Sequence, residues 1–394
     1  MKRLVLRSVM VAGVAMAGTV WSEEEPGWLA PSFGPFSPSA HFVGAIGDSS
    51  RDAEDLAGGE HDPSREKGTV QGIELGLSLR LGMLEGFAVH TFSYGAEEEW
   101  ENEWEEAFLK VKDLPGGFEV RGGRMLARFG QLNARHLHAW NMVDMPLVIG
   151  RFLGGEGLAY DGGEVTWLHQ GIDRTFGVSV GFGELAGHGH GHGHGEHDED
   201  EDDHDGHHGH GEAVEFDDDV WVGRVFGQFR KDDFRRYETG LSLAVGDEEE
   251  GRRMVVAGLD FTYTWREKGL EPGGRALVWT TEVLYRDVED GHGHGEGHDH
   301  EDLHGGGEFG FYSELMYTLN QRLDLGGRIG YVEGNEDLGS ERRFRVSPIA
   351  TAYLDPWRRA ALRLQYNYDD LEGGKDAHSV WLQLALSWGA PEVR

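Results

Sequence analysis

Three stretches of the chain alternate between apolar and polar residues: QGIELGLSLRL (71–81), VVAGLDFTYTW (255–265) and ALRLQYNY (361–368). The apolar sets are Ile73, Leu75, Leu77, Leu79 and Leu81; Val255, Ala257, Leu259, Phe261, Tyr263 and Trp265; and Leu362, Leu364, Tyr366 and Tyr368. The residues between them are mostly glycine, hydroxyl, amide or charged residues. A period of two indicates β-strands that have one apolar and one polar face.

Strands of this kind occur both in soluble sandwiches and in membrane barrels, and two features favour the barrel. Segments of about ten residues have the length that a tilted strand needs to cross a bilayer. Aromatic residues gather near the strand ends, as the interfacial girdles of a barrel require; they are Trp221, Trp265, Tyr285, Tyr331, Tyr368 and Trp388. We therefore predict an all-β, transmembrane antiparallel barrel.

The same pattern predicts about sixteen strands, an even number as in bacterial single-chain barrels. They lie near 40–48, 69–80, 86–94, 104–113, 117–124, 159–168, 173–182, 219–230, 236–246, 253–265, 275–286, 309–319, 322–332, 342–354, 359–368 and 378–388. A helix is an alternative at 104–113, where aromatic residues are also spaced as a helical stripe. Alternate connections are short, and most of the others are long, so we expect the long ones to face outward.

The first 22 residues have the layout of a secretory signal peptide. Lys2, Arg3 and Arg7 precede an apolar run that is too short to span a bilayer, and a short Val-Trp-Ser stretch precedes Glu23. We therefore predict a signal peptide at 1–22 and a barrel at 23–394, with no plug domain because few residues precede the first strand. No cysteine is present, which excludes disulfides and thiolate sites.

Two connections are rich in histidine and acidic residues, at 187–218 and 287–308. They carry fourteen of the 21 histidines: His188, His190, His192, His194, His197, His204, His207, His208, His210, His292, His294, His298, His300 and His304. Residues 188–219 and 287–308 carry 21 of the acidic residues and no base, so the net charge of −35 falls to −14 without them. This acidity argues against nucleic-acid binding.

Neutral imidazole is a ligand of zinc, copper and nickel, and carboxylates can complete the coordination shell. The histidines alternate with glycine, so several could converge on one ion, but no fixed geometry selects the metal. We predict no obligatory cofactor and expect Zn(II) or another divalent metal as ligand or substrate. The alternative is a solvated low-complexity connection that binds metal incidentally.

The longest connection without a histidine repeat is MLARFGQLNARHLHAWNMVDMPLVIGRFLGGEGL (125–158). In a sixteen-stranded barrel such a connection can fold into the lumen and narrow it; the alternative is packing on the rim. Inward folding would form a candidate channel constriction, together with the preceding Arg124. The candidate residues are Arg124, Arg128, Arg135, His136, His138, Asp144 and Arg151.

This connection and its flanks resemble phosphate-selective porin-like outer-membrane barrels, and most of all the histidine-loop branch labelled zinc-regulated outer-membrane receptors. The residues that carry the resemblance are Gly123, Arg124, Gly130, Asn133, His136, His138, Trp140, Asp144, Pro146, Leu147, Gly154, Gly155 and Gly157. It covers roughly 55 residues. Leu137 and Asn141 depart from the proline and aspartate expected at those positions. The resemblance implies a porin-like barrel of a Gram-negative outer membrane that is associated with zinc.

The leading hypothesis is therefore a passive outer-membrane channel whose extracellular histidine-rich connections gather divalent metal for uptake. Outer-membrane lipid and divalent metal ions are the expected partners, and a homotrimer is left open. Two alternatives remain: a surface metal-buffering protein anchored by the barrel, and an anion-selective porin with an arginine filter. No catalytic motif such as Gly-x-Ser-x-Gly or His-Glu-x-x-His occurs, so we predict no enzyme activity.

Overall fold

Sixteen antiparallel strands form a closed barrel in the computed structural model, which describes residues 29–65, 68–96, 98–186, 214–248, 251–290 and 305–389. The strands are β1 Phe36–Ser49, β2 Thr69–Leu81, β3 Leu84–Tyr94, β4 Trp100–Leu114, β5 Phe118–Leu126, β6 Ala159–Gln170, β7 Arg174–Leu185, β8 Phe216–Arg230, β9 Arg235–Glu248, β10 Arg253–Arg266, β11 Ala276–Val288, β12 Gly306–Asn320, β13 Leu323–Val332, β14 Arg343–Tyr353, β15 Ala360–Leu371 and β16 Lys375–Gly389. Each strand pairs with its sequence neighbours, and β1 pairs with β16 to close the sheet. The predicted fold class and strand number are confirmed.

The apolar residues of the alternating pattern lie on the outer face of the barrel, and the polar residues lie on its inner face. Leu75 and Leu77 are exposed on the outer face of β2, whereas Glu74 and Ser78 are buried inside the barrel. Residues 104–113 belong to a strand, so the helical alternative was wrong. Since apolar side chains face outward around a closed sheet, the barrel presents the surface that a lipid bilayer would cover.

The connections at one end are short throughout the barrel, but those at the other end vary. The long ones join β1 to β2, β5 to β6, β7 to β8 and β11 to β12. The connections from β3 to β4, β9 to β10 and β15 to β16 belong to the same end and are only a few residues long. The connection from β13 to β14 has ten residues, so five of the eight connections at this end are longer than any at the other end, and the predicted mostly long connections are confirmed.

The helical pieces in the described connections are short. The α-helix α1 spans Leu147–Leu153, and 3-10 turns span Leu137–Ala139 and Glu336–Leu338. No helix in the described ranges has the length and apolar character needed to cross a membrane. The predicted signal peptide at 1–22 lies outside the described residues.

Candidate functional site inside the barrel

Residues 127–158, here called the inward segment, cross the interior of the barrel. The backbone N–H of Leu132 donates to Glu282 Oε1 on β11 at 3.0 Å, and that of Val143 donates to Gln365 Oε1 on β15 at 2.8 Å. Phe129 is fully buried. The predicted inward folding is confirmed, whereas the role of the segment as a channel constriction stays a prediction.

Asp144 fixes the middle of the inward segment to the barrel wall. Its carboxylate accepts hydrogen bonds from Arg328 on β13, from Arg345 on β14 at 2.9 Å, and from Gln365 and Asn367 on β15 at 2.8 and 2.9 Å. Burial alone would raise the pKa of Asp144, but Arg328 and Arg345 hold it below its ordinary value. This buried charge network anchors the segment to three adjacent strands.

The first connection folds inward beside this segment over its described residues 50–65. Asp62 Oδ1 accepts from the backbone N–H of Met145 at 2.7 Å. The side-chain amide of Gln71 on β2 donates to the carbonyls of both His61 and Val143, at 2.7 and 2.8 Å. The two connections therefore occupy the same end of the lumen as one packed unit.

Histidines and glutamates gather where these two connections meet β1, β2 and β4. We call the set the His–Glu cluster; it consists of His41, His61, His136, His138, Glu74, Glu103, Glu105, Glu106 and Glu156. It contains three groups whose possible ligand atoms lie within 4.8 Å of one another. The groups are His41 with Glu74 and His138; Glu74 with Glu105 and His136; and His61 with Glu103 and Glu156.

A β-bulge in β4 supplies two neighbouring carboxylates to the cluster. The register between β3 and β4 shifts at His90, which leaves Glu105 as the extra residue. Bulges re-aim side chains in this way, and Glu105 and Glu106 both point inward instead of alternating. They hold the two ring nitrogens of His136: Nδ1 contacts Glu105, and Nε2 lies 2.8 Å from Glu106.

The group of His41, Glu74 and His138 is built from three separate parts of the fold. His41 on β1 and Glu74 on β2 face each other directly across the sheet. The ring of His138 stacks on that of His41, with centroids 3.6 Å apart and planes 9° from parallel. Its Nδ1 contacts the Glu74 carboxylate. The inward segment thus completes a set of two imidazoles and one carboxylate, which is a known ligand set for zinc.

Around the outer part of the cluster lies about 480 Å³ of empty space, partly open to solvent. His61 borders it, with Nε2 3.7 Å from Glu105 Oε1 and 3.8 Å from Glu103 Oε1. Burial alone would lower the pKa of His61, but Glu105 and Glu156 are among the carboxylates that raise it above its ordinary value. The site is therefore strongly electronegative, and it favours positive charge.

The seven candidate constriction residues all lie in or beside the inward segment, but the arginines do not converge. Arg124 pairs with Asp161 on β6, and Arg128 pairs with Glu119 and Glu164 on β5 and β6. Arg135 borders the space beside His136. Arg151 donates to the carbonyls of Glu333 and Glu341, which follow β13 on the far side of the barrel. A single filter made of these four arginines is therefore not formed.

The two departures from the expected family pattern both have structural roles. Leu137 is buried and packs against Gly72. The side-chain amide of Asn141 donates to Glu314 Oε1 on β12 at 2.7 Å. Neither position contributes a ligand atom to the His–Glu cluster, so these departures leave its chemistry intact.

The fourteen tract histidines lie outside the described residues. The flanking strands are described, however, and they place the ends of both connections. β7 and β8, like β11 and β12, are joined at the same end of the barrel as the inward segment.

Sequence reasoning missed most of the cluster. His41, His61, Glu74 and the β4 pair Glu103 and Glu105 come from four separate stretches of the chain and match no spacing motif. The available signal was weaker: in β2, Glu74 stands on the polar phase of an alternating strand. Only the pairing register and the bulge bring them together.

Solved structures that are similar to this chain share its fold at low sequence identity. An anion-selective porin from Comamonas acidovorans is 10% identical, with a TM-score of 0.53, over 90% of this chain and 98% of that chain. OprB of Pseudomonas putida is 12% identical, with a TM-score of 0.53, over 90% and 94%. The outer-membrane channel DcaP of Acinetobacter baumannii is 11% identical, with a TM-score of 0.52, over 90% and 96%.

Sequence comparison adds little. No family model matches the chain. An uncharacterized protein of Aquifex aeolicus (strain VF5) is 45% identical over 64 residues, which are 16% of this chain and 13% of that protein. The chain therefore has the closed antiparallel barrel fold of porins, with a histidine- and glutamate-rich interior.

Proposed function

We propose that the protein is a porin-like channel of the Gram-negative outer membrane that takes up divalent metal, zinc above all. The observation that carries this proposal is the electronegative His–Glu cluster inside a barrel of porin fold. Its imidazole and carboxylate groups suit zinc. The histidine tracts join the same barrel end, which on this proposal faces outward, and they would raise the local concentration of the ion.

An anion-selective porin is the second candidate, because one structural neighbour is an anion-selective porin. Buried arginines also line β13 to β15, including Arg328, Arg345 and Arg363. Arg328 and Arg345 are compensated by Asp144 and Asp369, however. A passing anion would have to displace these carboxylates, which makes the wall a poor anion path.

Metal buffering at the cell surface, with the barrel as an anchor, is the third candidate. It is supported by the depth to which the two inward-folded connections fill one end of the lumen.

Some solved neighbours were obtained as trimers, as with OmpT of Vibrio cholerae, and we extend that assembly to this chain as part of the proposal.

Single-channel recording in planar bilayers with and without Zn(II) separates the three candidates. The proposed channel conducts in KCl with a preference for cations, and micromolar Zn(II) changes its conductance because the ion occupies the lumen. An anion preference that is indifferent to Zn(II) would favour the second candidate. An insulating barrel that still binds Zn(II) would favour buffering.

A further inference from the structure

We infer that the barrel interior holds a specific divalent-metal site formed by His41, Glu74 and His138, and that the rest of the His–Glu cluster is the route to it. The inference deepens the proposed function, because it names where a metal cargo would stop inside the lumen. It does not depend on the histidine tracts.

The ligand chemistry of this site fits zinc. Two imidazoles and one carboxylate hold zinc in sites that keep a further position for water or a passing ligand. The three possible ligand atoms lie within 4.8 Å of one another. His41 and Glu74 come from paired strands, so the wall holds two ligands in fixed register. His138 comes from the inward segment, so the site is complete only when this segment is docked.

A path of carboxylates connects the site to solvent. Side-chain exposure falls from 26% at Glu103 to 9% at Glu105 and 0% at Glu74. Glu74 belongs to two of the three metal-capable groups. An ion that enters from the open space beside His61 would therefore contact a carboxylate at each step. Only small adjustments are needed, since ligand atoms on one zinc ion lie roughly 3.4 Å apart when bonds are about 2.1 Å.

Two buried polar atoms on this path make no hydrogen bond within the described part of the chain. They are Oε1 of Glu105 and Nδ1 of His61. Buried polar atoms normally find a partner, and a buried carboxylate oxygen needs one most. Oε1 of Glu105 faces Nε2 of His61 at 3.7 Å, too far for a hydrogen bond but suitable for two ligands of one ion. A divalent cation would satisfy this oxygen.

Local charge also favours a cation. The cluster contains five glutamates, whereas two arginines, Arg124 and Arg135, border the same space. The first of these is already paired with Asp161 at 2.8 Å. A divalent cation would balance part of this excess negative charge.

The test is the release of Zn(II) from the full-length, detergent-solubilised protein to the coloured chelator 4-(2-pyridylazo)resorcinol. The wild type should release zinc in two phases: a fast phase from the histidine tracts and a slow phase of about one equivalent from the interior. Glu74→Gln should remove the slow phase and leave the fast phase unchanged. His41→Asn is the second variant, in case the first fails to fold.

Glu314→Gln is the matched control, because it removes a carboxylate contact to Asn141 of the same inward segment but lies outside all three metal-capable groups. It should keep the slow phase. Unheated gel migration verifies that each variant is a folded barrel. A wild type without a slow phase would overturn the inference, as would a slow phase that survives both Glu74→Gln and His41→Asn.

This result is independent of the test of the channel. A protein that keeps the slow phase but does not conduct retains the site and loses the proposed transport. A protein that conducts zinc without a slow phase retains transport and loses the site.

Discussion

Replacing Asp144 by asparagine should loosen the inward segment and open the lumen. Asp144 is 2% exposed, and its carboxylate neutralises both Arg328 and Arg345. Asparagine has nearly the same size and keeps one oxygen acceptor, so the main change is the loss of a buried negative charge. Two guanidinium groups are then left with less compensation in a partly desolvated interior.

The size of the effect follows from the remaining partners. Breaking a buried ion pair by removing one partner costs about 3–5 kcal/mol. Arg345 keeps Asp369 and the Leu56 carbonyl, and Arg328 keeps the Met145 carbonyl. We therefore expect Asp144→Asn to reduce the free energy of docking by the lower end of this range, about 3 kcal/mol. This loss lowers the ratio of docked to undocked segment by roughly a hundredfold.

Hydrogen exchange measured by mass spectrometry on residues 137–150, together with single-channel recording, gives the readout. Protection of these amides should fall by about the same factor, and channel conductance should rise or become noisier. Asp161→Asn is the matched control, because Asp161 pairs with Arg124 near the surface and is about half exposed. Exposed pairs contribute about 0–1 kcal/mol. Equal protection in the wild type and Asp144→Asn would refute the anchoring role of this residue.

The pH dependence of this anchor has a definite sign. The pKa of Asp144 is lowered below its ordinary value of 3.8 by the two arginines, against the effect of burial. Its contribution to docking is therefore fully present above pH 3.8 and is lost as pH falls through the lower value of the docked state. Protection of the segment by this anchor should be the same at pH 7 and pH 5.

Three further predictions concern the tracts and the packing of the connections. Excising 187–211 and 291–304 should abolish most zinc binding and leave strand circular dichroism intact, because these stretches contain almost no apolar surface; zinc binding equal to that of the parent would contradict the tract assignment. Zinc affinity of the tracts, measured by titration calorimetry, should fall as pH drops through about 6.5 while calcium binding is retained; loss of both together would argue against histidine ligands. Gly150→Ala should displace α1 from the first connection and lower the unfolding temperature, because a Cβ there would lie 1.6 Å from the Gly58 carbonyl oxygen. In the control Gly223→Ala, the added Cβ meets nothing within 4 Å, so the unfolding temperature should stay almost unchanged. Equal unfolding temperatures and equal hydrogen-exchange protection of residues 147–153 in the two variants would contradict this packing.

The barrel was predictable because its determinants are local. Alternation at Leu75 and Leu77 against Glu74 and Ser78 sets the two faces of a strand without reference to the rest of the chain. The inward folding of 127–158 was also accessible, since such a length without its own strands needs a place to bury its apolar residues. Phe129 and Val143 are completely buried there.

The composition of the interior site was not predictable by the same reasoning. The pairing of His41 with Glu74 depends on the register of β1 against β2. The inward position of both Glu105 and Glu106 depends on one extra residue in β4, and the alternation rule would place one of them outside. His61 reaches the site through an inward-folded connection. Each of these contacts depends on the tertiary structure, and the spacing of residues in the sequence does not reveal it.

Zinc flux into proteoliposomes that contain a fluorescent zinc indicator tests the central claim most directly. The protein should admit Zn(II) well above the rate of protein-free liposomes, and excision of both tracts should slow entry at low external zinc but not at saturating zinc. Liposomes that admit chloride or phosphate through the protein while zinc stays outside would contradict the account.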